Sequence, residues 1–267
     1  MSDEILLEQR EGTVARLVLN RPDARNALSL ALLYALEQAV TRLGADNSVH
    51  VIVIAANGPG FCAGHDLKEL TAAREGADRG RAFFQETMGK CAAAMLAIVR
   101  CPKPVIAEVH GIATAAGCQL VAACDLAVAA NDARFATPGV NIGLFCSTPM
   151  VALSRNVGRK VAMRMLLTGD MVGAEEARDL GLLSDVTAPG TLTESAMALA
   201  TRIAGKSPAT LKIGKEAFYQ QVEMNLPEAY DFAAEVMVMN MLEPDAKEGI
   251  GAFIEKRTPS WQSLGED

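Results

Sequence analysis

A chain of 267 residues, half of them hydrophobic and 21% charged, carries enough apolar material for one large core, which excludes an intrinsically disordered protein. The net charge of −7 and the pI near 5.1 argue against a general nucleic-acid binder, which needs a basic face. Aromatic residues make up only 4%, so the core is to be built from Ala, Val, Leu, Ile and Met.

In chain order, residues 4–9 and 13–19 read as two strands around a turn at Glu11-Gly12. The stretch MSDEILLEQREGTVARLVLN is acidic and has no apolar run of signal-peptide length, so neither a secretory signal nor a transit peptide is expected and the location reads as cytoplasmic. "RPDARNALS" is a loop by its Pro, Asp and Asn content. Ser29 is placed to cap a helix over 30–43, with Leu32, Leu33, Leu36, Val40 and Leu43 on one face. "VHVIVIA" is a continuous β-branched run, the pattern of a strand buried on both faces. "NGPGFCAGHD" turns into a short helix near Leu67, and 81–99 is an amphipathic helix. "KPVIAEVHG" is a strand opened by Pro104, "AGCQLVAAC" a short buried helix, "DLAVAA" a strand and "ARFATPG" a short strand with a turn. Such alternation implies a layered α/β core over 1–190. From about residue 150 only "LLSDV" (182–186) looks extended, and helices over 189–204, 207–223, 226–243 and 245–256 make 191–267 a helical region.

The six cysteines form no Cys-x-x-Cys pair and read as free buried thiols in a reducing compartment. The three histidines, His50, His65 and His110, show no zinc-ligand spacing, so no metal is expected. No 18-residue uncharged apolar run occurs, so no membrane span is expected. "GPGFCAG" offers Gly58 and Gly60, but Gly64 comes one place too late for a dinucleotide fingerprint. What stands out is two Gly/Ala-rich bends, 61–68 and 111–119, each following a buried strand and each opening a helix. Helix starts present unpaired N–H groups, and two of them converging on one point would stabilise an oxygen that gains negative charge. Read without further information, the same bends also fit plain tight turns.

"FCAGHDLKEL" (61–70), "KPVIAEVHGIATAAGCQLVAACDLAVA" (103–129) and "FATPGVNIGL" (135–144) together resemble the enoyl-CoA hydratase/isomerase, or crotonase, superfamily. "LNRPDARNALS" (19–29), "LLTGDMVGAEEARDLGLLSDV" (166–186) and "FIEKRTPSW" (253–261) match it in the same order, so the resemblance covers nearly the whole chain. Within it, the A-A-G-C-Q-L segment is similar to the branch of enoyl-CoA hydratase domain-containing proteins. The resemblance implies an α/β fold made of a spiral of β-β-α turns with a helical C-terminal trimerisation region, assembled as a homotrimer or a dimer of trimers. It implies acyl-CoA thioesters as substrates, coenzyme A being part of the substrate and no group being covalently bound; the acidic charge and the lack of a long apolar run speak against nucleic acid and membrane as partners. It assigns the enolate-stabilising N–H groups to His65 and Ala116. Ala116 stands where Gly is more usual, and Ala resists positive φ. It places Arg25, Ala27, Leu28, Ala63, Asp66, Leu67 and Lys68 around the coenzyme A, with Lys256 reaching in from a neighbouring subunit. Lys68 and Lys256 read equally well as surface charge.

Two positions depart from the hydratase pattern. Where the family has its two glutamates, this chain has Gln119 and Gly139. Gln orients water or a carbonyl but exchanges no proton near neutral pH. Asp66 reads as a cap of the helix that follows, and Glu108 as an ion-pair partner. Cys146 lacks a basic neighbour in sequence, and Asn141, Ser147 and Thr148 are candidate pocket residues. Two functions stay open: an acyl-CoA enzyme that needs the enolate trap without two glutamates, such as a malonyl-type decarboxylase or a thioesterase, and a catalytically retired acyl-CoA binder or scaffold.

Overall fold

The computed structural model describes residues 4–261. β1 (Leu6–Glu11) and β2 (Val14–Leu19) form an antiparallel hairpin. Its turn needs Gly12 at φ +56°, a left-handed conformation that glycine adopts without cost. α1 (Leu30–Ala45) starts at Ser29, whose Oγ accepts from Leu32 N at 3.2 Å, and buries the predicted leucine stripe. β3 (Val51–Ala56) is buried along its whole length, as its unbroken apolar run requires. α2 (Leu67–Ala73) and α3 (Arg81–Arg100) follow, then β4 (Val105–Val109), β5 (Ile112–Thr114) and α4 (Ala116–Ala123). β6 (Leu126–Ala130) and β7 (Arg134–Ala136) complete the expected strands of the first half.

Between 149 and 187 the chain adds elements that local pattern does not announce. These are α5 (Pro149–Asn156), α6 (Arg159–Thr168), the two-residue β8 (Val172–Gly173) and α7 (Ala174–Asp179). The extended "LLSDV" becomes β9, shifted to Asp185–Thr187. The last four helices are α8 (Leu192–Ala204), α9 (Pro208–Gln221), α10 (Leu226–Leu242) and α11 (Pro244–Glu255).

The strands form two sheets. One runs β1-β2-β3-β4-β6-β9 and is parallel after its first pair; the other runs β5-β7-β8. Alternation along each strand sends successive side chains to opposite faces. Ile52, Ile54, Ala107 and Val109 enter the main core with α1, α3 and α4. Val51, Val53, Ile106 and Val128 face α8, which covers the other side through Leu192, Ala196 and Ala200. The first helix of the 191–267 region is thus packed on the sheet. α9 is tied down at the N-terminal edge of the strands, where Lys215 Nζ meets Asp125 Oδ2 at 2.6 Å and Tyr219 donates to Oδ1 at 2.8 Å. No helix of the described residues is long and apolar enough to cross a membrane.

Candidate active site

Three segments far apart in sequence are laced together at the C-terminal edge of the sheet. Ala63 N donates to Arg25 O at 3.1 Å, and Leu28 N donates to Gly64 O at 2.7 Å. On the other side Cys62 N donates to Ile112 O at 3.0 Å, Thr114 N to Cys62 O at 2.9 Å, and Thr114 Oγ1 to Ala63 O at 3.1 Å. Ala115 N continues the ladder to Ala136 O at 2.9 Å. The two expected bends are therefore neighbours, and the "RPDARNAL" loop lies alongside the first.

Close approach is built into the glycines. A Cβ on Gly117 would stand 2.1 Å from Cys62 O, so only Gly lets the first turn of α4 rest on the opposite bend. Gly64 takes φ +95°, and a Cβ there would meet Ala115 Cβ at 2.9 Å and Ala116 N at 3.4 Å. The N–H of Ala116 therefore lies beside the residue that precedes His65. Around His65, Gly64 O accepts from Leu28 N and Asp66 N donates to Leu28 O at 3.1 Å. Strand-like alternation then turns the His65 N–H to the opposite side. Neither it nor the Ala116 N–H has a hydrogen-bond partner among the described residues.

The expected strain at Ala116 is corrected by the structure. Ala116 is the first helical residue, and the unfavourable conformation belongs to Ala115, at φ 50° and ψ −118°. The sharp reversal into α4 is made one residue earlier than the motif implies, and α4 starts without a side-chain cap. Ala115 is one of few non-glycine residues at positive φ, a state that costs about 1–3 kcal/mol.

Around the bends the side chains fall into two groups. Asp66 caps α2, its Oδ1 accepting from Lys68 N at 3.0 Å while Arg21 Nη2 donates to Oδ2 at 2.8 Å. Burial pushes the Asp66 carboxyl up, but the Arg21 guanidinium and the α2 N–H groups outweigh it and hold it below the ordinary carboxylate range. Glu108 points to the α8 face, where Arg16 binds both of its oxygens at 2.8 Å and Thr193 donates at 2.7 Å. His110 Nε2 is engaged with Gly58 O at 2.8 Å. These groups are spoken for. His65, by contrast, has both ring nitrogens buried without a hydrogen bond of normal geometry, and burial lowers its pKa against the opposing influence of the Leu28 backbone, which favours the neutral imidazole.

Gln119 is buried on α4, and Cys91 Sγ of α3 approaches its Oε1 at 3.8 Å. Burial pushes the Cys91 thiol up to about 12, so it keeps its proton and acts as the donor of that contact. Gly139 is buried, and a Cβ there would meet Leu144 O at 2.7 Å and Cys146 Sγ at 2.9 Å. The thiol of Cys146 occupies the space a longer residue at 139 would need. Burial raises the Cys146 pKa, with the Gly139 N–H opposing, so this thiol is also protonated.

Of the residues expected around coenzyme A, Arg25, Leu67 and Lys68 are exposed at the rim, and Ala27 and Ala63 are half-buried beside them. Leu28 sends its side chain into the core and contributes its backbone alone. Lys256 ends α11, which packs on α9 and α10, so this chain does not bring it to its own bends. Asn141 and Ser147 are exposed. Two surface grooves lie elsewhere, one of about 640 Å³ along α8 at Thr193 and Met197, the other of about 210 Å³ at Arg164 and Met171. Among the described residues no group of three or more His, Cys, Asp or Glu side chains is arranged to hold a metal ion.

Sequence reasoning missed Asn26. It is fully buried at φ 53°, its Oδ1 accepts from Arg21 N at 2.8 Å, and its Nδ2 donates to Asn57 O and Gly60 O at 2.8 and 2.9 Å. Asn tolerates the left-handed region better than most residues, which was the available signal. Cys91 was also missed, because nothing local links α3 to α4.

A mostly parallel sheet wrapped by helices, with two glycine-shaped bends meeting beside a helix start, is the architecture of the crotonase fold. The chain belongs to the enoyl-CoA hydratase/isomerase family, whose model matches residues 9–264. It is 48% identical over 248 residues to enoyl-CoA hydratase domain-containing protein 3, mitochondrial, of Homo sapiens, covering 93% of this chain and 80% of that one. It is 36% identical over 258 residues to the 2,3-dehydroadipyl-CoA hydratase of Escherichia coli, covering 96% and 98%. Among solved structures, an enoyl-CoA hydratase of Mycobacterium smegmatis superposes with a TM-score of 0.93 at 52% identity, covering 97% of this chain and 99% of that one. Human enoyl-CoA hydratase domain-containing protein 3 superposes with a TM-score of 0.92 at 44% identity, covering 97% and 100%. These relatives correct the cytoplasmic expectation: five vertebrate relatives, each an enoyl-CoA hydratase domain-containing protein 3, are named mitochondrial. That expectation rested on the composition of some twenty N-terminal residues, whereas the likeness lies in the folded domain.

Proposed function

We propose that this protein binds acyl-CoA thioesters and stabilises the enolate oxygen on the backbone N–H groups of His65 and Ala116. The observation that carries this reading is that these two N–H groups sit on adjoining bends and neither meets an acceptor among the described residues. Two preorganised donors aimed at an oxygen that gains charge lower the barrier to enolate formation. The α4 N-terminus adds a partial positive charge at the same place.

The usual hydratase route needs two carboxyl groups to move protons, and Gln119 and Gly139 supply none. General acid–base help is worth roughly 10²–10⁴-fold per group. The reaction that fits is one that makes the enolate without a base. In a malonyl-type thioester the bond from the α-carbon to the carboxylate breaks, CO₂ leaves, and the electron pair moves onto the thioester oxygen. Water then delivers a proton to the α-carbon.

Arg25, Ala27, Leu28, Ala63, Asp66, Leu67 and Lys68 frame the coenzyme A side of the bends, and Lys256 serves the site of a neighbouring copy. Exposed apolar side chains on α9–α11, among them Phe218, Tyr230, Met237, Leu242, Phe253 and Ile254, support assembly through this region into a homotrimer or a dimer of trimers. A retired acyl-CoA binder is the second reading, favoured by the missing carboxyls.

The test is a panel of acyl-CoA thioesters, malonyl types included, followed by mass for substrate loss, CO₂ and free coenzyme A. Turnover of a malonyl type supports the enzyme, and tight binding without turnover selects the scaffold. Hydration of crotonyl-CoA is expected about 10⁴-fold slower than in a two-glutamate relative. A rate within about tenfold of such a relative refutes the reading.

A further inference from the structure

The side chain of Gln119 makes a single contact of hydrogen-bonding length among the described residues, the one from Cys91 Sγ to Oε1 at 3.8 Å. An amide whose oxygen faces a thiol donor must turn its Nε2 the other way. The two N–H bonds of Nε2 meet no acceptor among the described residues, on a residue one helical turn from Ala116. Thr87 strengthens the case. It lies one turn before Cys91 on the same stripe of α3, is 2% exposed, and has its hydroxyl buried with no partner. α3 descends from the edge where β3 ends to the edge where β4 begins, so Thr87 is nearer than Cys91 to the edge that carries the bends. A buried hydroxyl without a partner is costly, and one on the wall beside an amide whose N–H groups meet no protein acceptor points to a ligand atom that completes them.

We infer that Gln119 Nε2 is the donor that holds the departing carboxylate, and that Cys91 is a positioning residue that turns the amide to present it. This rests on the decarboxylation reading above. The chemistry favours neutral donors at this spot. The carboxylate must shed its charge as the bond to the α-carbon breaks, and the charge must pass to the oxygen held by His65 and Ala116. A cation gripping the carboxylate would stabilise the starting state more than the transition state and slow the reaction. An amide N–H orients the group with less loss.

The experiment follows CO₂ release from malonyl- and methylmalonyl-CoA, alongside the binding of acetyl- and propionyl-CoA, which lack the carboxylate. Gln119→Leu is expected to lower kcat/KM for the carboxylated esters by about 10–100-fold, and to change the affinity for the plain esters less than about threefold. Gln119→Glu, nearly the same shape, is expected to lose more on the carboxylated esters, because two negative charges then meet. Cys91→Ala is expected to lose about 3–10-fold, mostly in KM, and Cys91→Ser to recover most of it through its hydroxyl donor. Equal losses on both ester classes, or equal kcat/KM in wild type and Gln119→Leu, overturn the assignment while decarboxylation stands. If the wild type releases no CO₂, the decarboxylation reading falls. A wild-type preference for binding carboxylated over plain esters that Gln119→Leu abolishes would then still support the Gln119 contact, and no such preference overturns both.

Discussion

The two faces of the six-stranded sheet treat polar groups in opposite ways. On the α8 face, Glu108 is nearly inaccessible and its oxygens are met by Arg16 and Thr193. On the other face, where α3 and α4 pack, His65, Thr87 and Thr137 keep buried polar atoms without partners. The backbone follows the same division, with the positive-φ Ala115 and the N–H groups of His65 and Ala116, unmet among the described residues, on the second side. The first face is finished by the chain itself. The second keeps buried polar atoms that no described residue meets, which is what the proposed acyl-CoA site would use.

The contrast is broken most severely at Gly117. Gly117→Ala puts a Cβ against the Cys62 carbonyl, a backbone atom that cannot swing away. The expected loss is about 4 kcal/mol or more in urea unfolding, or a failure to accumulate soluble protein. A stable variant would show that the bends are not held in contact as described. On the closed face, Glu108→Ala leaves the Arg16 guanidinium without its bidentate partner. A loss of about 3 kcal/mol is expected, with acyl-CoA binding by the folded protein unchanged. Weakened acyl-CoA binding would mean that the two faces are coupled.

Acidification sharpens the comparison. Burial lowers the pKa of His65 below its ordinary 6.5 in the folded state, so the unfolded chain takes up the proton first. Stability is then retained above about pH 6.5 and falls as the pH drops below it, by up to about 1.4 kcal/mol per pH unit from this group. Unfolding midpoints of His65→Leu should fall less over the same range, and parallel curves would remove His65 from the unpaired set. The smallest effect is expected at the bend itself. Ala115→Gly relieves the positive φ at the cost of a looser unfolded chain, and a net gain of about 1 kcal/mol should appear in the denaturation midpoint.

Much of this architecture is legible locally. The leucine stripe of α1 with its Ser29 cap, the unbroken apolar run of β3 and the four C-terminal helices each follow from spacing within one segment. The stretch from 149 to 181 is not, because its helices are short and β8 is only two residues long. Leu28 shows the limit within the site: its motif position is right, yet its side chain is core and only its backbone serves the bend. The strain in the second bend shows another, since the motif pointed to Ala116 while the chain reverses at Ala115.

By itself the sequence determined which residues are small enough to let backbone approach backbone, and that Gln119 and Gly139 carry no group able to move a proton near neutral pH. Both are properties of single residues and need no partner to be true. Only the tertiary structure decided that the two bends touch, that Glu108 is consumed by Arg16, that Cys146 stands in the space beside Gly139, and that Cys91 faces Gln119. Those facts depend on pairs of atoms from segments tens of residues apart. Their meeting is set by how strands and helices pack, which no local pattern encodes.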